Sequence, residues 1–477
     1  MPEQTPSQGW RFPSAFTILF GLIILVAVLT WIIPAGQYTR MPSEALGKDV
    51  PVAGSYAPTE ANPQGVFDVL LAPIAGFYDP GSYSANAIDV SLFVLIIGGF
   101  IGVVTATGAL DAGIRRAMTG AKGREVWMIP FLMALFALGG TTYGMAEETL
   151  AFYVLLIPVM IAAGYDAVTA VAVILLGAGV GVLGSTINAF STVIASDAAG
   201  VTFADGLMLR LIILGLCWAV SVAFVMRYAA RVKDDPSKSL VFDKKAANEA
   251  HFLKETKSEA ANFTGLHKIV LILFALTFGV MIWGVSVGGW WMAEMSALFL
   301  AAAIVIGVIA RLGEGKLVES FVAGARDLLG VALIIGLARG IVVVMDAGLI
   351  TDTILHGAEV SVAGLPPTGF ILVVYWIEVG LSFFVPSTSG LAVLSMPILA
   401  PVADFAGVQR DLVVTAFATA SGMVNLITPT SAVVMGGLAI GRVPYDRWLR
   451  FVWPLLVVLT LIIMAALALA VTLGASA

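Results

Sequence analysis

The sequence predicts an all-α polytopic membrane protein: two inverted repeats, each with a re-entrant hairpin and a broken helix, in about nine full spans plus two hairpins (eleven or more apolar segments). Three observations predict it. The first is composition: 59% of the 477 residues are hydrophobic types and 12% are charged, with a mean hydropathy of +0.99. A soluble protein carries about 25% charged residues, so this chain has too few to cover a water-exposed surface of its size. The second is that Lys and Arg gather in alternate loops. The third is that the two halves share one order of parts. Composition therefore excludes a multi-domain soluble enzyme, a disordered chain and a nucleic-acid binder. The 50 Gly and 10 Trp fit a membrane chain, where Gly is common in helices and Trp marks interfaces.

Seven runs are long and apolar enough to cross roughly 30 Å of hydrocarbon: 15–33, 88–108, 206–228, 268–287, 291–310, 328–347 and 451–474. The N-terminal stretch MPEQTPSQGWRFPS lacks the basic look of a cleavable signal, so 15–33 is expected to be a retained anchor. The lone Cys217 lies in an apolar run, which removes disulfides and cysteine-based metal sites. His251, His267 and His356 all fall outside the long apolar runs.

With the N-terminus placed in the cytoplasm, that side holds Arg11, the Arg115–Arg124 group, the 227–268 stretch, the Arg311–Arg326 group and the Arg442–Arg450 group. By count these are 20 of the 25 basic residues, against Arg40, Lys48, Arg210 and Arg410 outside and Arg339 in the membrane. The asymmetry follows the positive-inside rule and puts the C-terminus outside. It makes 34–87 an external Pro/Gly-rich loop within an N-terminal repeat (1–228). A charged cytoplasmic linker (229–267) then leads to a C-terminal repeat with one extra span (268–477).

An ungapped offset of 239 sets Pro158 on Pro397, Thr149 on Thr388, and Ser191–Thr192 on Thr430–Ser431. Upstream, IIGGFIGVV from Ile96 resembles IIGLARGIVVV from Ile334. The 88–108 span ends at a basic loop, whereas 328–347 begins at one, so the halves are inverted and 268–287 supplies the flip.

Polar clusters interrupt the remaining apolar regions. Region 125–164 passes through GGTTYGMAEET (139–149), with a first arm of about 14 residues, too short for a full span. Region 166–200 breaks at GSTINAFST (184–192), 368–404 turns at FFVPSTSG (383–390), and 411–440 breaks at NLITPTS (425–431). Irregular backbone at membrane depth is tolerated only inside protein or along a wet cavity. Two tips and two breaks are thus expected to meet at one central site, where half-helix N-termini offer N–H groups and freed carbonyls offer oxygens. The alternative is that each hairpin is a pair of full spans joined by an ordinary loop. Crossing parity is the same, so loop charge does not choose between them.

The membrane-embedded ionisable residues narrow the candidates. Glu147 and Glu148 sit at the first tip. Each charge there costs about 2.5–3.5 kcal/mol at mid-bilayer, so the pair calls for a bound cation or a hydrogen-bonding pocket. They read as a substrate-ammonium site, a proton carrier or a Na⁺ ligand, or else as an ordinary loop end. The second half has no acidic pair at its tip, where Ser387 and Thr388 stand instead. Arg339, inside 328–347, is either a binder for a substrate carboxylate or a partner of Glu378. Glu294 follows Trp290–Trp291 and reads as interfacial. The candidate substrate-binding set is Thr141, Thr142, Glu147, Glu148, Thr149, Asn188, Arg339, Ser387, Thr388, Ser389, Asn425, Thr428 and Thr430. The candidate coupling-ion set is Glu147, Glu148, Ser185, Thr186 and Glu378.

With the tip motifs AEET, VPSTSG and NLITPTS, and the runs VPSTSGLAVLSMPILAP (385–401) and ITPTSAVVMGG (427–437), the chain resembles the ion transporter superfamily. More closely it is similar to the YfcC branch of the C4-dicarboxylate anaerobic carrier (DcuC-like) family, over nearly all of its length apart from 229–262. The resemblance implies a bacterial inner-membrane carrier of elevator type, with the site at 141–149, 385–390, 185–192 and 425–431. Related carriers include dicarboxylate carriers and basic amino-acid antiporters. By analogy of fold, a homodimer is expected. No cofactor is implied beyond Na⁺ or H⁺ as a coupling ion, and the partners are a small-molecule substrate and the lipid bilayer.

The paired glutamates fit a cationic or zwitterionic solute better than a dianion. The leading expectation is a secondary transporter of amino-acid-like solutes, by exchange or ion coupling. The runner-up is a C4-dicarboxylate carrier driven by H⁺ or Na⁺. An intramembrane enzyme is disfavoured because no His falls inside a long apolar run and no H-E-x-x-H pair occurs. A channel needs no such asymmetric inverted halves. An ATP-driven pump lacks its P-loop, since GEGKL (313–317) has neither the leading Gly spacing nor the Ser/Thr.

Overall fold

The structure, a computed structural model, describes residues 13–43, 48–110, 112–113, 116, 125–142, 144–253, 263–385 and 387–474. The topology markers Arg11, Arg115, Lys122, Arg124, Lys254 and Lys257, and the tip residues Tyr143 and Pro386, lie outside the described residues.

The chain is helical throughout its apolar runs. The N-terminal half holds α1 (Ala15–Ile32), α2 (Val66–Ala75), α3 (Ile88–Ala106), α4 (Met128–Thr142), α5 (Thr149–Ala162), α6 (Ala167–Leu183), α7 (Ile194–Ala199) and α8 (Leu207–Asp234). After the short α9 (Lys245–Phe252) come α10 (Gly265–Ser286), α11 (Met292–Ile309), α12 (Glu314–Asp327), α13 (Leu329–Ala347) and α14 (Thr351–Val362). The chain ends with α15 (Pro367–Phe384), α16 (Thr388–Phe405), α17 (Arg410–Val424), α18 (Ala432–Ile440) and α19 (Tyr445–Gly474). Among the described residues, nine helices are long and apolar enough to cross a membrane.

Helix starts follow local chemistry. The Ser14 hydroxyl accepts from Thr17 N before α1, and the Asp166 carboxylate accepts from Thr169 N at 2.8 Å before α6. These caps satisfy N–H groups that the helix itself leaves open. The order hairpin, broken helix, long helix occurs twice: α4–α5, α6–α7, α8, then α15–α16, α17–α18, α19. In each set the first hairpin arm packs on the broken helix, α4 on α6 and α15 on α17, and α6 packs on α17 between the sets. Between helices in lipid, close packing rather than water exclusion supplies the attraction. Gly140 on α4 and Gly181 on α6 make it possible: a Cβ at Gly140 would stand 2.2 Å from the Ala178 carbonyl oxygen, and one at Gly181 2.3 Å from that of Ala137.

A second packing unit is built on α3, α10 and α11, where Phe100 contacts Phe274, Phe278 and Phe299. Here α12 also lies along α3. It is an amphipathic helix that the span search in the sequence passes over, because its apolar residues are spaced rather than continuous.

The 34–87 stretch is more ordered than a loop. Gly36–Gln37 pairs antiparallel with Ala57–Pro58, and Arg40–Ser43 with Lys48–Pro51. It is fastened across α13 and α14. Gly36 N donates to Leu349 O, Tyr38 N to Asp352 at 3.0 Å, and Arg40 pairs with Asp352 at 2.9 Å.

α8 runs on to Asp234, so the stretch from residue 229 begins in helix. One expectation needs correction. Arg210, placed in an outer loop, is in the first turn of α8 and fully buried. Its guanidinium donates to Phe203 O and faces the charges of Asp411 and Asp205. The half-buried Asp411 whose charge it faces is on α17, far away in the sequence.

Candidate functional site

The site grows from the four interruptions. In the first, α4 stops at Thr142 and α5 starts at Thr149. Gly144 takes φ +80 there, and a Cβ on it would meet Asn188 Oδ1 at 2.5 Å. Asn188 is buried; it caps the turn after the α6 break through Phe190 N at 2.9 Å and reaches Gly140 O at 3.3 Å. The tip and the break are then locked together. Thr141 Oγ1 donates to Gly184 O at 3.1 Å and Thr186 Oγ1 to Thr141 O at 3.1 Å, while Thr186 N donates to Thr141 Oγ1.

The second pair is locked in a comparable way. The hydroxyl oxygens of Thr428 and Thr430 lie 3.3 and 2.9 Å from Phe383 O and 2.7 Å from each other, so the two hydroxyls and the carbonyl form one hydrogen-bonded group. Ser387 caps α16 by accepting from Gly390 N at 3.2 Å, and Thr388 Oγ1 lies 3.2 Å from Ser421 Oγ. Asn425 Nδ2 reaches Thr388 Oγ1 at 3.5 Å.

Both tips and both breaks line one cavity of about 500 Å³, within the ordinary range for small-molecule sites. Full spans ending on opposite faces would hold the tips about 30 Å apart, so their meeting here is the geometry of re-entrant hairpins. Of the sequence candidates, Glu147, Glu148, Asn188, Arg339, Ser387, Thr388, Ser389, Asn425 and Thr430 line this cavity.

The others stand behind the wall. Thr141, Thr186 and Thr428 are the fasteners just described. Ser185 receives the Thr192 hydroxyl at 2.5 Å, Thr149 donates to Ala146 O, and Thr142 donates to Leu138 O in its own helix. Glu378 is fully buried on α15, with the Ser395 hydroxyl the polar group beside it. Neither of its oxygens makes a hydrogen bond, so the expected Arg339–Glu378 pair is not formed. Glu294 accepts from Trp291 N at 3.0 Å and acts as a cap for α11.

Charge divides the cavity. One part carries the carboxylates of Glu147, Glu148 and Asp89; Glu148 Oε2 accepts from Ala146 N at 3.0 Å. Beside Asp89 stand Trp291 and Phe190, their rings 5.2 Å apart, with the indole N–H donating to Asp89 Oδ2 at 3.2 Å. The other part holds Arg339 and the first residues of α16 (Thr388, Ser389) and α18 (Ala432, Val433). Helix N-termini favour negative charge through their unpaired N–H groups. Among the described residues Arg339 has no ion-pair partner. The cavity can therefore hold a cationic group at one part and a carboxylate at the other.

Sequence reasoning missed Asp89 and Trp291, and it covered Phe190 only as part of 185–192. Asp89 stands at the edge of the 88–108 span, where an acid reads as interfacial. Its place opposite Glu147 exists only after α3 packs beside the hairpin.

Residues 12–472 match the family described as C4-dicarboxylate anaerobic carrier (DcuC). The chain belongs to that family. As a DcuC-family protein it is a member of a membrane transporter family rather than an enzyme. It is 37% identical to an uncharacterized protein of Haemophilus influenzae, over 97% of both chains. It is 31% identical, over 94% of both chains, to YfcC of Escherichia coli K12, which bears the name "Putative basic amino acid antiporter". Two solved structures align over nearly the whole chain with a TM-score of 0.42: the Alcanivorax borkumensis YdaH transporter (14% identical, 97% of this chain and 99% of that one) and Neisseria gonorrhoeae MtrF, described among antimetabolite efflux pumps (16% identical, 97% and 96%).

Proposed function

We propose that this DcuC-family protein is a secondary active transporter of small amino-acid-like solutes, basic or zwitterionic, across the bacterial inner membrane. It works by exchange or ion coupling, in elevator fashion, with the N-terminus cytoplasmic and the C-terminus periplasmic. One observation carries the substrate reading: three carboxylates and one guanidinium line the same cavity. A basic amino acid places its cationic groups against Glu147, Glu148 and Asp89. Its carboxylate goes to Arg339 and the helix N-termini of α16 and α18. A dianion in the same place meets three like charges, each disfavouring it in a water-poor site. The name borne by the YfcC relative agrees with this reading.

A second reading rests on Arg339 and the two helix N-termini. These three groups suit a C4-dicarboxylate, with the glutamates then binding Na⁺ or H⁺. Uptake into proteoliposomes separates the two. The panel is arginine, ornithine, lysine, succinate and fumarate, each with an imposed Na⁺ or H⁺ gradient. Counterflow of the basic amino acids supports the first reading, and gradient-driven uptake of succinate or fumarate alone rejects it.

A further inference from the structure

A second cavity of about 420 Å³ lies against the first and shares Arg339 and Ser387 with it. Its walls are α13 (Arg339, Asp346), the start of α14 and the second hairpin tip, and the strand segment at Gly36–Arg40 covers it.

Four charged side chains line this chamber, and two are already used. Arg40 and Asp352 pair at 2.9 Å, and the buried Asp352 also accepts from Tyr38 N. Arg339 and Asp346 remain. Asp346 is exposed, and Oδ1 accepts from Thr351 Oγ1 at 2.9 Å. Its Oδ2 has no protein partner among the described residues. Arg339 and Asp346 are seven positions apart on α13, hence on one face and about 10.5 Å apart along its axis.

We propose that this second cavity is a binding site of its own, taking solutes that carry a carboxylate and a distant cationic group before they reach the main cavity. Arg339 holds the carboxylate and Asp346 the distal cation. A neutral amino acid, whose ammonium and carboxylate share one carbon, cannot span the two. A dicarboxylate places its second charge against Asp346. Because Arg339 and Ser387 border both chambers, the carboxylate passes inward without leaving its guanidinium. The inference rests on the amino-acid reading of the main cavity, and its test separates the two.

Arginine transport is measured in vesicles of both orientations, for wild type, Asp346→Asn and Asp346→Glu. Asp346→Asn is expected to raise the arginine KM roughly fivefold from the face that carries residues 34–87, to leave it unchanged from the opposite face, and to be rescued by Asp346→Glu. An unchanged KM from both faces, or an equal rise from both, overturns the proposal, the latter because Asp346 would then act on the main cavity or on folding. If the wild type carries no basic amino acid from either face, the substrate reading itself fails and this proposal falls with it.

Discussion

The indole of Trp291 donates its N–H to Asp89 Oδ2 at 3.2 Å across the wall of the central cavity. That bond joins α11 to α3 and holds a carboxylate against Glu147 on the hairpin tip. The acidic part of the site is thus assembled from the packing unit of α3 and α11 as well as from the hairpin. A relative movement of the two would bring together or separate the carboxylates proposed to meet the solute's cation.

Asp89→Asn keeps an oxygen acceptor for Trp291 and removes one charge. The expected outcome is an arginine KM raised on the order of tenfold, about 1.4 kcal/mol, with thermal stability unchanged. Steady-state uptake and an unfolding curve in detergent check the two halves of that statement.

Thr186 is a fastener. Thr186→Val removes the hydroxyl that donates to Thr141 O and joins the tip to the broken helix, at a cost of about 0.5–1.5 kcal/mol. Thr142→Ala breaks only a bond to Leu138 O within one helix and costs less. Thermal unfolding monitored by intrinsic fluorescence should show the first variant well below the second. Equal midpoints would mean that the Thr141–Thr186 lock contributes nothing to stability.

The spans and interruptions were legible because each rests on local chemistry. Residues 88–108 were expected and α3 covers 88–106; the break expected at 184–192 begins where α6 ends at Leu183. The meeting of Glu147, Glu148, Ser387 and Thr388 followed from the repeat, since two interruptions at matched positions have only the bundle centre in common. What a hydroxyl does there was not legible. Thr141 and Thr388 both sit at hairpin tips, yet one turns to its own scaffold and the other to the cavity. That choice depends on which carbonyl lies opposite, a contact some 45 residues away in Thr141–Thr186. The burial of Arg210 is not legible for a similar reason: one of the charges it faces, Asp411, is on a distant helix.

Gly144 is held at φ +80 with Asn188 directly over it. Gly144→Ala adds a strained backbone, worth about 1–3 kcal/mol, and displaces the Asn188 side chain from Gly140. Transport should fall sharply and the unfolding midpoint should drop. Gly380→Ala, where a Cβ meets nothing within 4 Å, is the matched control and should change neither.

Tyr38 ties the strand segment to α14 by donating to Glu359 at 2.7 Å. Burial, then the bond to Glu359, pushes its phenol well above the ordinary tyrosine range, so the phenol stays a neutral donor across the physiological pH range. Tyr38→Phe loses that bond, about 0.5–1.5 kcal/mol. The expected sign is faster hydrogen exchange in residues 36–58, with the exchange of α4–α6 unchanged.

In the proposed mechanism the hairpin-tip carboxylates receive the solute's cation. Arginine counterflow in proteoliposomes, comparing wild type with the Glu147→Gln/Glu148→Gln double variant at matched protein density, tests this. Robust exchange is expected in the wild type and a loss of at least about tenfold in the variant, with the folded, monodisperse state retained. Equal counterflow in the two proteins would contradict it.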